Sequence, residues 1–354
     1  MPLTVEYCLE LVIGYSLTVV HGLWFIFKLV QRFLKNPRDR FWAVIPRELP
    51  PECLNDPTLG NHRYVQLKNI KLHYVEAGDK SKPLMVFVHG FPEFWYSWRH
   101  QIKEFSTDYW VVAVDMRGYG ESEKPVGQKN YKLELLDADI KNLIKALGRK
   151  SCTLVAHDWG GCVAWSLVLT EPKMFDAYII MNSIHPEAFH QYLKKSVSQL
   201  RKSWYIFFFQ LPWLPELSCS MDDLKTIELS LREESIKFPS PITDEDIEAY
   251  KFYFGKPGGF TAPINYYRAN FLLTSRDRLS GLGKSPDFPP GLILFGDRDL
   301  YIDKEIQEDT IGLVANSTLV YVKDANHFVQ QDDPVTVNHE MRFFLKKVQN
   351  QSKS

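Results

Sequence analysis

Short, fully apolar runs alternate with helix-length stretches over most of the chain. The apolar runs cover residues 84–88, 110–114, 152–156, 177–181, 292–295 and 318–322. The helix-length stretches cover residues 94–105, 132–147, 160–169 and 335–348, and another begins near Lys304. Strands that are apolar throughout, not only at alternate positions, are typical of a parallel sheet with helices on both faces. The pattern therefore predicts an α/β fold.

Two segments depart from this alternation. Short β-like runs over 64–68 and 71–76 predict a hairpin before the first buried strand. From about 183 to 288 the sequence is helix-like and rich in aromatic residues, which indicates a helical cap inserted into the α/β domain. The predicted division is an anchor with a basic flank at 1–40, a linker at 41–62, a core in two parts at 63–185 and 288–349, and the cap at 186–287.

The amino-terminal segment predicts a membrane anchor, because residues 11–27 carry no formally charged side chain. As a helix they would cover roughly 25 Å, just enough to cross the hydrocarbon of a bilayer. A cleaved signal peptide would have basic residues before its apolar run, and this chain has none before Lys28. A buried core helix and an amphipathic surface helix are the alternatives.

Basic residues follow this segment at Lys28, Arg32 and Lys35. They favour a cytosolic position for the large domain, with a single-pass helix in the endoplasmic reticulum membrane. The glycosylation sequon at Asn316 would be used only in the opposite orientation.

Composition narrows the classes of partner. The 42 basic and 43 acidic side chains give a formal net charge of -1, so the basic excess typical of nucleic-acid-binding proteins is absent. The five cysteines are widely spaced, without a Cys-x-x-Cys pair, and indicate neither a disulfide framework nor a zinc site. The aromatic content of 14% is high and suits an apolar pocket.

The sharpest local signal is the sequence Val-Ala-His-Asp-Trp-Gly-Gly at 155–161, where a predicted strand runs directly into a helix. Small residues two positions before and after Asp158 are what a nucleophile elbow requires, because strand and helix approach closely there. A carboxylate at the apex can displace a leaving oxygen or halide at an sp³ carbon and form an ester. The alternative is that Asp158 only caps the following helix.

Polar residues follow three other predicted strands. The turn His89-Gly90-Phe91-Pro92 comes after the strand 84–88, and the backbone N–H groups of Phe91 and Trp159 would form an oxyanion hole. Asp299 follows the strand 292–295 and His327 the strand 318–322. The order nucleophile, acid, histidine is that of α/β-hydrolases. Asp297 lies in the same turn as Asp299 and is the alternative acid.

With these motifs, the chain from about residue 64 to 347 resembles the epoxide hydrolase branch of the α/β-hydrolase superfamily, and its anchor makes it similar to the membrane-anchored members. The resemblance implies a mostly parallel eight-stranded sheet with helices on both faces and an inserted helical cap. Two cap tyrosines that hold the epoxide oxygen in that family correspond to Tyr205 and Tyr267. It also implies that Asp158, Asp299 and His327 are the nucleophile, acid and base.

The resemblance implies a reaction that needs neither a cofactor nor a metal ion. Asp158 would open the epoxide while Tyr205 and Tyr267 stabilise its oxygen, and water activated by His327 would release a vicinal diol. The aromatic cap and the anchor lead to the hypothesis that the substrate is an apolar, lipid-derived epoxide reached from the bilayer.

Three other functions are consistent with parts of this pattern. A haloalkane-type dehalogenase uses the same aspartate nucleophile, although such enzymes commonly place Asn or Glu where this chain has Phe91. A catalytically silent membrane-anchored binding module is a second alternative, and the intact set of catalytic residues disfavours it. A serine esterase is the weakest, because no serine occupies the elbow.

Overall fold

The computed structural model describes residues 5–233, 240–271, 279 and 281–351. A single mostly parallel sheet forms the centre of the fold and contains eight strands in the described ranges. The strands are β1 Asn61–Gln66, β2 Lys71–Ala77, β3 Leu84–Val88, β4 Trp110–Val114, β5 Cys152–His157, β6 Phe175–Met181, β7 Gly291–Gly296 and β8 Ser317–Val322. Their spatial order is β1-β2-β4-β3-β5-β6-β7-β8.

The predicted α/β fold and the amino-terminal hairpin are confirmed. Strands β1 and β2 pair antiparallel, β2 pairs antiparallel with β4, and all later neighbours pair in parallel. Every residue of β3, β4, β5 and β7 is buried, which explains why these strands are almost entirely apolar. The carboxyl ends of β3, β5, β7 and β8 therefore meet at one edge of the sheet.

The helices fall into three groups by their position in the chain: before β6, between β6 and β7, and after β7. The first group is α1 Val5–Lys35, α2 Arg99–Phe105, α3 Leu133–Ala146 and α4 Asp158–Thr170. The second is α5 Pro186–Leu193, α6 Val197–Lys202, α7 Trp204–Phe208, α8 Leu214–Glu228, α9 Asp244–Phe254 and α10 Thr261–Ala269. The third is α11 Glu305–Ile311, α12 Val329–Asp332 and α13 Pro334–Gln351.

Two helix starts differ from the sequence expectation. Helix α2 begins at Arg99 and not near residue 94, because Trp95–Trp98 form a separate buried 3₁₀ turn. Helix α4 begins at Asp158, two residues earlier than the predicted start at Gly160. The tight turn from β5 into α4 therefore has no connecting loop.

The second group of helices lies between β6 and β7 and corresponds to the predicted cap. Helix α9 begins with a capping box in which Thr243 and Asp246 bond each other's backbone N–H groups. The boundaries assigned to the cap, 186–287, stay a prediction, because residues 234–239, 272–278 and 280 lie outside the described part of the chain.

Helix α1, predicted as a membrane anchor, also contacts the folded domain. One face of it packs on α7 through small residues, with Gly14, Thr18 and Gly22 buried there. A Cβ atom on Gly22 would lie 2.8 Å from a methyl group of Leu211, so only a small residue allows this approach. The stretch Leu9–Lys35 is long and apolar enough to cross a membrane.

The segment predicted as a linker, 41–62, is also attached to the cap. Phe41, Leu54 and Leu59 are buried. Arg47 forms ion pairs with Asp223 and Glu248 at 2.8 and 2.7 Å. The segment therefore fixes the cap relative to the first strand.

Candidate active site

The turn between β5 and α4 holds Asp158 in a strained conformation at the carboxyl end of the sheet. Its φ angle is 49°, in the left-handed region that non-glycine residues rarely occupy. A Cβ atom on Gly160 would lie 2.1 Å from the carbonyl oxygen of Val88, and one on Gly161 would lie 2.3 Å from Cβ of Ser183. The small residues after Asp158 are therefore required for α4 to approach β3 and β6.

The Asp158 carboxylate faces its neighbours across the turn instead of capping α4. The backbone N–H of Phe91 donates to Oδ1 at 2.7 Å, and Nε2 of His327 lies 3.5 Å from Oδ2. Gly90 gives room for this, since a Cβ atom there would lie 2.4 Å from Oδ1. The N–H of Trp159, the other predicted oxyanion donor, lies in the first turn of α4, where N–H groups have no partner within the helix.

His327 lies between two carboxylates. Its Nδ1 is 2.8 Å from Oδ2 of Asp299, on the side opposite Asp158. Asp299 is buried and also accepts hydrogen bonds from the Asn182 amide and from the backbone N–H of Tyr301, both at 2.7 Å. The structure thus brings together the three residues that the sequence analysis placed at the ends of β5, β7 and β8.

Asp297, the alternative acid, lies elsewhere. Its side chain is exposed, and Oδ1 accepts a hydrogen bond from the backbone N–H of Asp324 at 2.8 Å. Of the two carboxylates in this turn, Asp299 is the one in contact with His327.

A buried pair that the sequence analysis missed supports both sides of the site. Glu93 accepts from the backbone N–H of Gly90 at 2.7 Å and is paired with Nδ1 of His157 at 2.6 Å. Nε2 of His157 lies 2.8 Å from the carbonyl oxygen of His327. The pair therefore joins the turn after β3 to the loop after β8. Its only sequence signal was an acidic residue directly after the Pro92 turn, and such residues are usually exposed.

The carboxylates on either side of His327 determine whether its imidazole is protonated. Burial by itself favours the neutral imidazole, but the adjacent Asp299 and Asp158 carboxylates outweigh it and raise the pKa of His327 to about 10. Burial would likewise raise the pKa of Asp158, yet His327, His157 and the Phe91 N–H hold that pKa below its usual range. At neutral pH the site therefore contains an ionised Asp158 beside a protonated His327.

The cap places two phenols over this edge of the sheet. Tyr205 in α7 and Tyr267 in α10 pack with their ring centroids 5.7 Å apart and their planes nearly perpendicular. Tyr267 also packs edge-on against Phe91 and Trp159, the two predicted oxyanion residues. The neighbouring Tyr266 is directed away, since its hydroxyl donates to the carbonyl oxygen of Arg117 at 2.7 Å.

Both phenols remain protonated at neutral pH. Burial raises the pKa of Tyr205 and of Tyr267 well above the usual value, and the negative charge of Asp158 raises both further. They can therefore donate hydrogen bonds, and both line the cavities that Asp158 lines.

Two cavities meet at these residues, with volumes of about 390 and 240 Å³. Asp158, Tyr205, Tyr267 and Tyr301 line both of them. Tyr301 was not predicted from the sequence; its ring lies edge-on to His327, with centroids 4.9 Å apart. The larger volume lies within the range of roughly 300–1,000 Å³ typical of small-molecule sites.

The site consists of oxygen and nitrogen groups suited to acid–base and nucleophilic chemistry. Within the described ranges, no three His, Cys, Asp or Glu side chains are grouped so that they would hold a metal ion. Cys162 also lines the larger cavity, and burial raises the pKa of its thiol to about 12, so it is not a thiolate at neutral pH.

Comparison with known proteins agrees with this geometry. A family model described as the alpha/beta hydrolase fold matches residues 83–334. The chain is 41% identical to human epoxide hydrolase 4 over 328 residues, which cover 91% of this chain and 89% of the relative. The chain belongs to the epoxide hydrolase branch of the α/β-hydrolase family.

Other relatives support the same assignment. Epoxide hydrolase 3 of Xenopus tropicalis is 36% identical over 346 residues, or 95% of this chain and 91% of the relative. A crystal structure of a Bacillus megaterium epoxide hydrolase with an inhibitor superposes with a TM-score of 0.72 at 32% identity, covering 80% of this chain and 100% of that one. The predicted family and fold are therefore confirmed.

Proposed function

We propose that this enzyme converts an apolar epoxide and water to a vicinal diol through an ester on Asp158. The observation that carries the proposal is the arrangement of an ionised carboxylate and two protonated phenols around the same cavities. An epoxide needs a nucleophile at carbon and a proton donor at oxygen, and the two must act from opposite sides. A serine esterase site would need a serine nucleophile, a histidine with its acid and the oxyanion donors, but no pair of phenols.

The first step forms the ester. Oδ2 of Asp158, the oxygen that does not accept from the Phe91 N–H, attacks an epoxide carbon, the carbon–oxygen bond of the ring breaks, and Tyr205 and Tyr267 donate hydrogen bonds to the departing oxygen. One phenol gives up its proton to that oxygen. The protonated His327 can then return a proton to the phenolate, which leaves the imidazole neutral.

The second step hydrolyses the ester and depends on the neutral imidazole. Esterification removes the negative charge of Asp158, one of the two causes that raise the pKa of His327, so the pKa falls after the first step. His327, oriented by Asp299, takes a proton from water, and the hydroxide attacks the ester carbonyl. The N–H groups of Phe91 and Trp159 stabilise the oxyanion. Release of the diol regenerates the carboxylate and the imidazolium.

The two cavities support a substrate with substituents on both epoxide carbons. An epoxide seated at Asp158 would direct one substituent into each cavity. The larger cavity is lined mainly by apolar side chains, including Ile184, Phe189 and Ile206. The smaller one also has hydroxyl groups from Ser218, Thr226 and Ser230. The substrate class proposed is an internal epoxide with at least one long apolar substituent.

We place this activity at a membrane. The proposal is supported by helix α1, whose apolar side chains are exposed along the face opposite α7, including Val12, Val20, Leu23 and Phe27. The basic residues after α1 favour a single-pass helix in the endoplasmic reticulum membrane with the catalytic domain in the cytosol. Asn316, in the sequon, donates from its side-chain amide to the carbonyl oxygens of Pro286 and Phe288, so the folded chain offers no free amide there.

The covalent ester can be trapped in a variant that lacks the base. We expect His327→Ala, incubated with an internal epoxide, to show a stable mass increase equal to that of the epoxide on the peptide containing Asp158. Peptide mass spectrometry after acid quench measures this. The increase should be absent when Asp158→Ala is combined with His327→Ala.

Two outcomes would contradict the proposal. If wild-type enzyme turns over epoxides while His327→Ala carries no adduct on Asp158, the ester mechanism is wrong. If wild-type enzyme hydrolyses no member of a broad epoxide panel but releases halide from haloalkanes, the substrate assignment is wrong.

A further inference from the structure

The larger cavity reaches from the candidate nucleophile to the membrane helix. Its lining includes Asp158 and Trp159 in α4, and it also includes Glu10 and Ile13 in α1. The side chain of Ile13 is 48% exposed and lies at the edge of the face that packs on the cap. Helix α1 is therefore part of the wall of the same cavity as Asp158.

The contact between α1 and the cap is specific. The hydroxyl of Thr18 donates to the carbonyl oxygen of Phe207 at 2.9 Å. A Cβ atom on Gly14 would lie 2.7 Å from the ring of Phe271, and the rings of Phe25 and Phe208 pack 5.1 Å apart. Glycine and threonine at four-residue spacing let the two helices approach closely, as in membrane helix pairs.

The same cap residues connect α1 to the reacting groups. Ile206 and Phe207 line the larger cavity, and they directly follow Tyr205 in α7. Phe271, which packs against Gly14 and Tyr15, lines that cavity as well. A substituent leaving the epoxide along this cavity would thus pass from the phenols to a surface shared by the cap and α1.

We propose that α1 is a wall of the substrate chamber and that Ile13 determines how long an apolar substituent the enzyme accepts. This inference rests on the proposed epoxide hydrolysis. The anchor then has two functions, since the helix that holds the enzyme at the bilayer also contacts the distal part of the substrate. A long chain occupies the space beside Ile13, and a small epoxide does not reach it.

The test uses the full-length enzyme in detergent micelles or lipid nanodiscs. The substitution Ile13→Trp fills the distal part of the larger cavity. The control Val12→Trp places the same side chain on the opposite, lipid-facing side of α1, where Val12 is 63% exposed. We expect Ile13→Trp to lower kcat/KM for an internal epoxide of a long-chain fatty acid by about tenfold or more. Hydrolysis of styrene oxide by Ile13→Trp should fall much less than hydrolysis of the long-chain epoxide, and Val12→Trp should leave the turnover of both substrates unchanged.

Each result separates the inference from the function on which it rests. If wild-type enzyme is active and Ile13→Trp keeps the wild-type ratio of long-chain to small-epoxide turnover, α1 does not contact substrate and the inference is wrong. If wild-type enzyme hydrolyses neither epoxide, the proposed function fails, and the inference fails with it.

A labelling experiment on wild-type protein covers the case in which Ile13→Trp is misfolded. A long-chain amide with a diazirine at its apolar end should label Glu10 or Ile13 on photolysis, and an excess of the unmodified amide should suppress that label. Labelling of Val12 or Val20 from the lipid side should resist competition. If the excess of unmodified amide suppresses labelling at no position of α1, the inference is wrong.

Discussion

The two sides of the active site are held in different ways. On the core side, the carboxylates are fixed by hydrogen bonds from residues that follow buried strands. The backbone N–H of Phe91 donates to Asp158. The side-chain amide of Asn182 and the backbone N–H of Tyr301 donate to Asp299. On the cap side, Tyr205 and Tyr267 lie among aromatic rings and are positioned by packing. A charge needs directed dipoles when it leaves water, whereas a neutral phenol is held through its apolar ring and needs a hydrogen-bond partner only at its hydroxyl.

This difference separates chemistry from selectivity. The core side contains the groups that must keep a fixed charge and distance, and directed hydrogen bonds from backbone N–H groups and from the Asn182 amide support their carboxylates. The cap side is built from side chains and extends to helix α1, so its shape changes with sequence without disturbing the triad. Three predictions test the comparison.

The largest effect is expected from the cap phenols. Replacing Tyr205 and Tyr267 together by Phe keeps the ring packing and removes both donors, so kcat should fall by about 10²- to 10⁴-fold. Each single variant should fall less, because one donor remains. Steady-state kinetics with an internal epoxide measures this.

Tyr266→Phe is the matched control, because that hydroxyl bonds the carbonyl oxygen of Arg117 and not the cavity. It should keep wild-type kcat. Wild-type turnover in the double variant would show that the two phenols contribute only packing. The cap side would then have no part in the chemistry.

The second prediction concerns the pH dependence on the core side. The two carboxylates raise the pKa of His327 to about 10 in the free enzyme, and loss of the Asp158 charge in the ester lowers it. Below that lowered pKa the imidazole is protonated and cannot take a proton from water. Ester hydrolysis should therefore slow by about tenfold per pH unit in acid, and the ester should accumulate as pH falls.

Rapid quench followed by mass spectrometry measures the fraction of enzyme that carries the ester. Ester formation should vary less over the same range, because Asp158 stays ionised and the phenols stay protonated. An ester fraction that decreases toward acid pH would contradict the assignment of His327 as the base.

The smallest effect is expected where α1 ends against the cap. Arg32 forms a bidentate pair with Asp222 at 2.6 and 2.7 Å, and both side chains are more than one-third exposed, at 34% and 41%. Such exposed pairs contribute roughly 0–1 kcal/mol to the free energy of unfolding. Asp222→Asn should shift Tm by no more than about 2–4 °C.

Thermal unfolding of the full-length protein in one detergent measures that shift. Epoxide turnover should stay at the wild-type rate, because the pair lies far along α1 from Ile13. A large loss of turnover in Asp222→Asn would mean that the orientation of α1 controls the chemistry and not only the reach of the cavity.

Local patterns in the sequence were sufficient to predict the strands of the core and the candidate catalytic residues that follow them. Buried parallel strands are apolar throughout and end in turns, so their positions and the residues at their carboxyl ends can be identified locally. Asp158, Asp299 and His327 were found in this way, and the family resemblance supplied Tyr205 and Tyr267. Asp299 was predicted as the acid, with Asp297 as the alternative because one turn contains both.

The folded chain shows what no local pattern contains, namely the contacts between distant segments. It brought Asp299 to His327, buried Glu93 beside His157, and placed Tyr301 over both cavities. It also packed α1 on the cap, a contact that the apolar run by itself does not predict. Periodicity and composition indicate which face of a segment is buried. They do not indicate which other segment packs against that face. For this reason the buried strands and the candidate residues at their carboxyl ends could be predicted from the sequence. The cavities that would hold the substrate could not.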